Sequence, residues 1–203
     1  DCVMENTCRN SPWASEIAVA SASGMAITER DGKTVVLTAG HFCEFEDEIG
    51  YEHYLRPQLF LADVDGNFWE GEIVDIDGSR DLCLIETTMP IKRSIGLSRV
   101  DPEIGERIYS ISAPAGVSTG GVALHYEGFF SGCDNNERCF YTIPASFGSS
   151  GSLVLNSRNQ VVGIVLFTPV RAESASGGVS LNQIREYLLE NSIDPSSFSY
   201  WVF

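Results

Sequence analysis

The chain has 203 residues, 43% of them hydrophobic and 20% charged, which is enough for one good-sized domain or two small ones with real cores. Its net charge of −15 argues against non-specific binding to nucleic acid or an anionic membrane, and favours neutral or basic partners. The longest apolar run, Val161 to Phe167, is far too short to span a bilayer, and Asp1-Cys2-Val3-Met4-Glu5 lacks the basic start and apolar core of a signal peptide. The chain therefore reads as a mature product or as one excised from something longer.

Residues 1–12 read as an arm pinned by Cys2 and Cys8, which enclose five residues, as do Cys133 and Cys139. That spacing suits small disulfide-closed loops, and with no CxxC pair to support a zinc site it points to an oxidising compartment. Cys43 and Cys83 sit in apolar, strand-like runs. They are structural, either as a third bridge or as two buried thiols.

From Trp13 onward, short β-rich runs alternate with turn signals. Strands are expected over Ile17–Ala20, Gly24–Thr28, Thr34–Thr38, Leu59–Val64, Phe68–Ile76 and Leu82–Glu86, divided by Asp31-Gly32, Asp65-Gly66 and Asp77-Gly78. An Asp-Gly pair between such runs is a strong hairpin signal. The pattern loosens around Thr87–Glu106, which reads as the connection between two halves. A second series follows over Arg107–Ser112, Gly121–Phe130, Arg138–Ile143, Ser152–Leu155, Val161–Thr168 and Gly178–Ser180. Strands at this spacing, with no helical period between them, imply an antiparallel barrel or sandwich. The only convincing helix comes last: Ser180 and Gln183 form a capping box, and Leu181, Ile184, Tyr187 and Leu188 share a face.

Phe147-Gly148-Ser149-Ser150-Gly151-Ser152 carries the chemistry. Glycines around a serine allow a tight turn that can present one hydroxyl beside an anion-binding pair of amides, so Ser150 is a candidate nucleophile and the N–H groups of Gly148 and Ser150 a candidate oxyanion hole. The bland alternative is a polar hairpin turn. Of the three histidines, His41 closes the run Thr34 to Gly40 and so sits at the end of a buried strand, whereas His53 and His125 read as loop and strand-surface residues. Asp81 stands at the mouth of the apolar run Leu82-Cys83-Leu84-Ile85, where a carboxylate needs a donor such as an imidazole N–H. Its competitors Asp75 and Asp77 are read as solvent-facing. Acyl transfer needs a hydroxyl, a base and an acid that holds the base's tautomer; His41, Asp81 and Ser150 supply them from both strand series.

Thr38-Ala39-Gly40-His41, Asp77-Gly78-Ser79-Arg80-Asp81-Leu82-Cys83-Leu84-Ile85 and Gly148-Ser149-Ser150-Gly151, in that order, resemble the three signature blocks of chymotrypsin-fold (trypsin-like) serine proteases. The flavour is similar to the bacterial high-temperature-requirement group and viral relatives. Gly105 to Gly116 resembles that group's entry to the second barrel, and Val162-Gly163-Ile164-Val165 its substrate-bordering strand. The resemblance runs from about Gly24 to Leu189 and implies an all-β fold: two six-stranded antiparallel Greek-key barrels with a short C-terminal helix. It divides a single 1–203 peptidase domain into arm and first barrel (1–95), second barrel (96–180), and helix and tail (181–203). It also implies His41 as general base, Asp81 as its orienting carboxylate, Ser150 as nucleophile and the Gly148 and Ser150 amides as oxyanion hole, acting on a protein or peptide with no metal or organic cofactor. A secreted, periplasmic or virion-associated location follows from the same resemblance and the cysteines.

Three departures from the family stand out. Ser149 replaces the Asp of the digestive enzymes, Ser152 replaces a common Gly, and Cys43 lies one position later than the usual cysteine after the histidine. By the same resemblance the S1 pocket is lined by Pro144, Ala145, Leu166, Phe167, Thr168, Gly177 and Gly178. None of these is acidic or histidine, so an apolar or small P1 residue is expected. A catalytically inactive protease-fold binding or structural protein is the alternative. Release from a polyprotein, with Tyr200-Trp201-Val202-Phe203 as a cleavage product, is a further one.

Overall fold

Apolar residues at consecutive positions, rather than alternate ones, set the architecture. In Val35-Val36-Leu37 and Leu82-Cys83-Leu84-Ile85 every side chain is buried, which a strand achieves only when both of its faces are covered. A computed structural model describes residues 21–44, 59–63, 65–91, 96–114, 123–169, 174–195 and 201–202. The Cys2/Cys8 loop, the strand expected at Ile17–Ala20 and His53 lie outside them.

Strands β1 (Gly24–Arg30), β2 (Lys33–Ala39), β3 (Leu59–Ala62), β4 (Phe68–Asp77) and β5 (Leu82–Thr87) follow the first series, with the one-turn helix α1 (Gly40–Cys43) after β2. The second series gives β6 (Arg107–Ser112), β7 (Leu124–Cys133), β8 (Arg138–Tyr141), β9 (Leu153–Asn156), β10 (Val161–Ile164) and β11 (Ser176–Val179), then helix α2 (Leu181–Glu190) and β12 (Trp201–Val202). Two six-stranded antiparallel sheets result, in the orders β12-β1-β2-β5-β4-β3 and β10-β9-β6-β7-β8-β11. The sixth strand of the first sheet comes from beyond α2, pairing Met25 with Val202 and Ala26 with Trp201.

Each sheet curls around a core of its own: Ala26, Val36, Cys83 and Ile85 in the first, Ile108, Tyr141, Val154 and Val162 in the second. A third core lies between them, where Leu37, Leu84, Leu153, Ile164 and the α2 residues Leu181, Ile184, Tyr187 and Leu188 meet. Neighbours on β2, β5 and β9 thus point alternately into a barrel and into the shared interface. This locks the two sheets together and places the loops at their junction.

The turns behave as their residues dictate. Asp31 and Gly32 both take positive φ (52° and 78°), as a two-residue hairpin requires. At Asp77-Gly78 the pattern differs: the left-handed residue of the β4–β5 turn is Asp81 itself, at φ 56°. The expected strand Val161–Thr168 keeps a regular ladder only to Ile164, after which Phe167 forms one isolated bridge to Gly177. Two disulfides join described cysteines. Cys133–Cys139 clips the β7–β8 hairpin, and Cys43–Cys83 settles the open pairing in favour of a bridge.

Helix α2 carries the expected capping box in full: Ser180 Oγ accepts from Gln183 N–H, and the Gln183 side chain accepts from Ser180 N–H. Ser180→Ala should cost about 1 kcal/mol. For a chain of this size that is roughly 2–4 °C in Tm, read from a thermal melt.

Candidate active site

Gly40 is the point where the His41 and Asp81 segments touch. A Cβ there would lie 2.9 Å from both Asp81 C and Leu82 N, so only glycine admits this approach, and its N–H donates to the Asp81 carbonyl at 2.8 Å. With the backbones in contact, the Asp81 carboxylate reaches His41 twice. Oδ1 accepts the His41 backbone N–H at 2.7 Å, and the ring Nδ1 lies 2.9 and 3.0 Å from the two carboxylate oxygens. The carboxylate accepts from Nδ1–H, which leaves Nε2 with a free lone pair. Hydrogen bonding to Asp81 raises the imidazole pKa above its ordinary value, partial burial lowers it, and the Asp81 and Glu44 charges add to the rise. Asp81 keeps its left-handed backbone at a cost of roughly 1–3 kcal/mol.

Ser150 lies in the loop between β8 and β9. Gly148 and Gly151 take φ 89° and 85°, while Ser149 N–H donates to Ser146 O and Ser152 N–H to Ser149 O. The turn is therefore tightly bonded, yet among the described residues neither Gly148 N–H nor Ser150 N–H has a protein acceptor. Two nearby amides without a protein acceptor beside a hydroxyl are the arrangement that a candidate anion site requires. The hydroxyl itself donates to Leu166 O at 3.4 Å and not to the imidazole.

Ser23, a residue the sequence reading passed over, joins this loop to the first sheet. Its N–H donates to Ser150 O (2.7 Å), its hydroxyl donates to Gly148 O (2.8 Å) and accepts from Ala113 N–H (3.1 Å), and its carbonyl accepts from Thr38 Oγ1 (2.7 Å). Thr38 stands three residues before His41. Gly151 must be glycine here because a Cβ would overlap the Ser23 carbonyl. The structure thus joins His41 directly to Asp81, and ties the Ser150 loop to β2, the strand that leads into His41, through one buried serine.

The family model of the trypsin-like peptidase domain matches residues 22–164. The chain belongs to that family. Its fold is similar to that of the serine endoprotease from Yersinia pestis, with a TM-score of 0.63 and 17% identity over 86% of this chain and 64% of that one.

Around the centre of this trypsin-like domain, the segments expected to form S1 have varied surroundings. Leu166 is buried in the core between the sheets, and its carbonyl is what Ser150 contacts. The Phe167 ring lies over Gly177 and packs edge-on against Phe140, centroids 5.8 Å apart. Pro144 is exposed, Ala145 half-buried against the second-sheet core, and Gly178 is pressed onto the Ile164 carbonyl. Phe140 was missed because β8 reads as an ordinary strand.

His125 is exposed on β7, as expected. Asp75 and Asp77 are not solvent-facing turn residues. They sit half-buried on β4, where Asp75 accepts from Asn191 and Asp77 from Ser79 and Arg80. Arg80 in turn pairs with Glu190 of α2 at 2.6 Å. Among the described residues there is no cluster of metal-ligating side chains, and no helix is long and apolar enough to cross a membrane.

Two outcomes follow. The His41 Cε1–H NMR resonance should titrate above about pH 6.5, and Asp81→Asn should return it to or below that value. Because the native imidazole binds its proton more tightly than the unfolded one, the pair's stabilisation is complete below about pH 6.5 and is lost as pH rises through the native pKa. Ser23→Ala, which strands the Gly148 carbonyl and the Ala113 N–H, should lower stability by about 1–3 kcal/mol in urea unfolding.

Proposed function

We propose that this domain is a serine endopeptidase. The observation that carries the proposal is the His41–Asp81 hydrogen bond together with the Gly148 and Ser150 amides, which have no protein acceptor among the described residues. In the cycle, Ser150 Oγ leaves Leu166 O and attacks the scissile carbonyl carbon while His41 Nε2 takes its proton. The oxyanion accepts from Gly148 and Ser150 N–H. Collapse breaks the C–N bond, and Nε2 hands its proton to the leaving amine. Water, deprotonated by the same nitrogen, then cleaves the acyl-enzyme and restores the hydroxyl. Asp81 stays ionised throughout and holds Nδ1–H, so that Nε2 remains the acceptor.

A neutral S1 region supports small or apolar P1 residues, since no carboxylate is placed among Pro144, Ala145, Leu166, Phe167, Thr168, Gly177 and Gly178 to pair with Lys or Arg. The Cys43–Cys83 and Cys133–Cys139 bridges support an oxidising location, whether secreted, periplasmic or virion-associated. The hydrogen bond from Ser150 to Leu166 is the one feature that favours an inactive protease-fold binder instead.

A fluorophosphonate probe separates the two readings. Labelling mapped by mass to Ser150, lost in Ser150→Ala and His41→Ala, is the expected result, with Asp81→Asn lowering kcat about 10⁴-fold. An unlabelled folded protein would establish the inactive reading. A peptide library should be cut after small or apolar residues; dominance of Arg, Lys or Glu at P1 would refute the neutral pocket.

A further inference from the structure

Both members of the dyad have a half-cystine two residues downstream: Cys43 after His41, and Cys83 after Asp81. The two half-cystines are joined to each other. We propose, resting on the triad reading above, that the Cys43–Cys83 bridge is a positioning element of the dyad: it braces the single helical turn carrying His41 against the strand that follows Asp81.

The need for a brace is visible where the ladder stops. Strands β2 and β5 pair from Thr34↔Thr87 to Ala39↔Leu82, one further backbone bond joins Gly40 N–H to the Asp81 carbonyl, and past it the two chains part into α1 and the Asp81 turn. Helix α1 has four residues, closes with Glu44 N–H on Gly40 O at 3.1 Å, and receives no side-chain cap from Ala39. One such turn is not self-supporting in water. The dyad's own hydrogen bond is a weak fastener, because the side chains are 50% and 34% exposed and compete with solvent.

The bridge is placed to do what that bond cannot. Two residues along a helix is more than half a turn, so His41 faces solvent while Cys43 faces the interior. Cys43 and Cys83 are 3% and 0% exposed, with Cα atoms 6.5 Å apart, packed among Ala26, Val36, Leu59, Ile85 and Met89. The inner face of the turn is thereby fixed covalently to β5, and the outer face can carry a solvated imidazole without drifting from Asp81.

The charged groups facing the His41 ring are the carboxylates of Asp81 and Glu44. On β4, the other strand against α1, Asp75 and Asp77 are held by Asn191 and Arg80, and the one charge on β2, Lys33, is at its far end. The acidic limb of kcat/KM therefore reports how well His41 and Asp81 are aligned.

The test compares three double variants of the active enzyme: Cys43→Ala/Cys83→Ala, Cys43→Ala/Cys83→Val to restore buried volume, and Cys133→Ala/Cys139→Ala as a bridge remote from the dyad. Loss of the brace should lower kcat about ten- to a hundredfold with KM unchanged. It should also move the acidic limb down toward about pH 6.5, while the remote variant keeps both. The wild-type chain, its buried bridge opened by a phosphine and the thiols mapped by alkylation, should reproduce the shift. An acidic limb and kcat unmoved by opening, or loss of the folded state in every opened form, would assign the bridge to stability alone and overturn the proposal. Failure of the triad reading is separate: the folded wild-type chain would then go unlabelled by the fluorophosphonate, or labelling would persist in His41→Ala.

Discussion

The candidate site depends on two backbones being allowed to touch. At Gly40 the segment carrying His41 comes within van der Waals range of the peptide between Asp81 and Leu82, and any side chain there would push them apart. Everything about the dyad follows from that contact. Asp81 adopts a left-handed backbone, its carbonyl receives the Gly40 amide, and its carboxylate is delivered to both the backbone and the ring of the next residue. The same logic recurs across the molecule at Gly151, where absence of a Cβ lets the Ser150 loop press against Ser23. Two close approaches, one within a sheet and one between sheets, hold groups that are 40 and 69 residues apart in sequence.

Much of this was legible beforehand because it rests on local signals. The Asp-Gly turns, the capping box of α2 and the fully apolar runs of β2 and β5 each announce their element without reference to the rest, and the three site blocks appear in order. What could not be read is what depends on partners distant in sequence. Nothing about Ser23 marks it as a joint until Gly148, Ser150, Ala113 and Thr38 converge on it. Asp75 and Asp77 stand in a turn-rich stretch and read as solvated, yet the docking of α2 brings Asn191 to the first, and Arg80, itself tied to Glu190, holds the second. The Cys43–Cys83 pairing was likewise undecidable, since a buried thiol and a buried half-cystine have the same neighbours in sequence.

Helix α2 connects these threads. Its apolar face fills the core between the sheets, while its polar end meets the turn that leads into Asp81 through Arg80 and Glu190. Tyr187, whose ring is buried in that core, donates its hydroxyl to the Asp75 carbonyl, and burial pushes its phenol well above the ordinary range. The exposed ion pairs contribute little individually. Their value is geometric, since they face a turn whose other side carries the dyad.

The placement of β12 bears on how the molecule comes into being. At one side of the first sheet, Met25 and Ala26 of β1 are covered by residues 201–202, which are made after every other described strand. Until then Met25 and Ala26 lack their β12 partners, and an unpaired strand edge is a template for pairing with another chain. The first sheet gains its sixth strand only once the tail has been made, so completion of this sheet is coupled to the last described stretch of the chain.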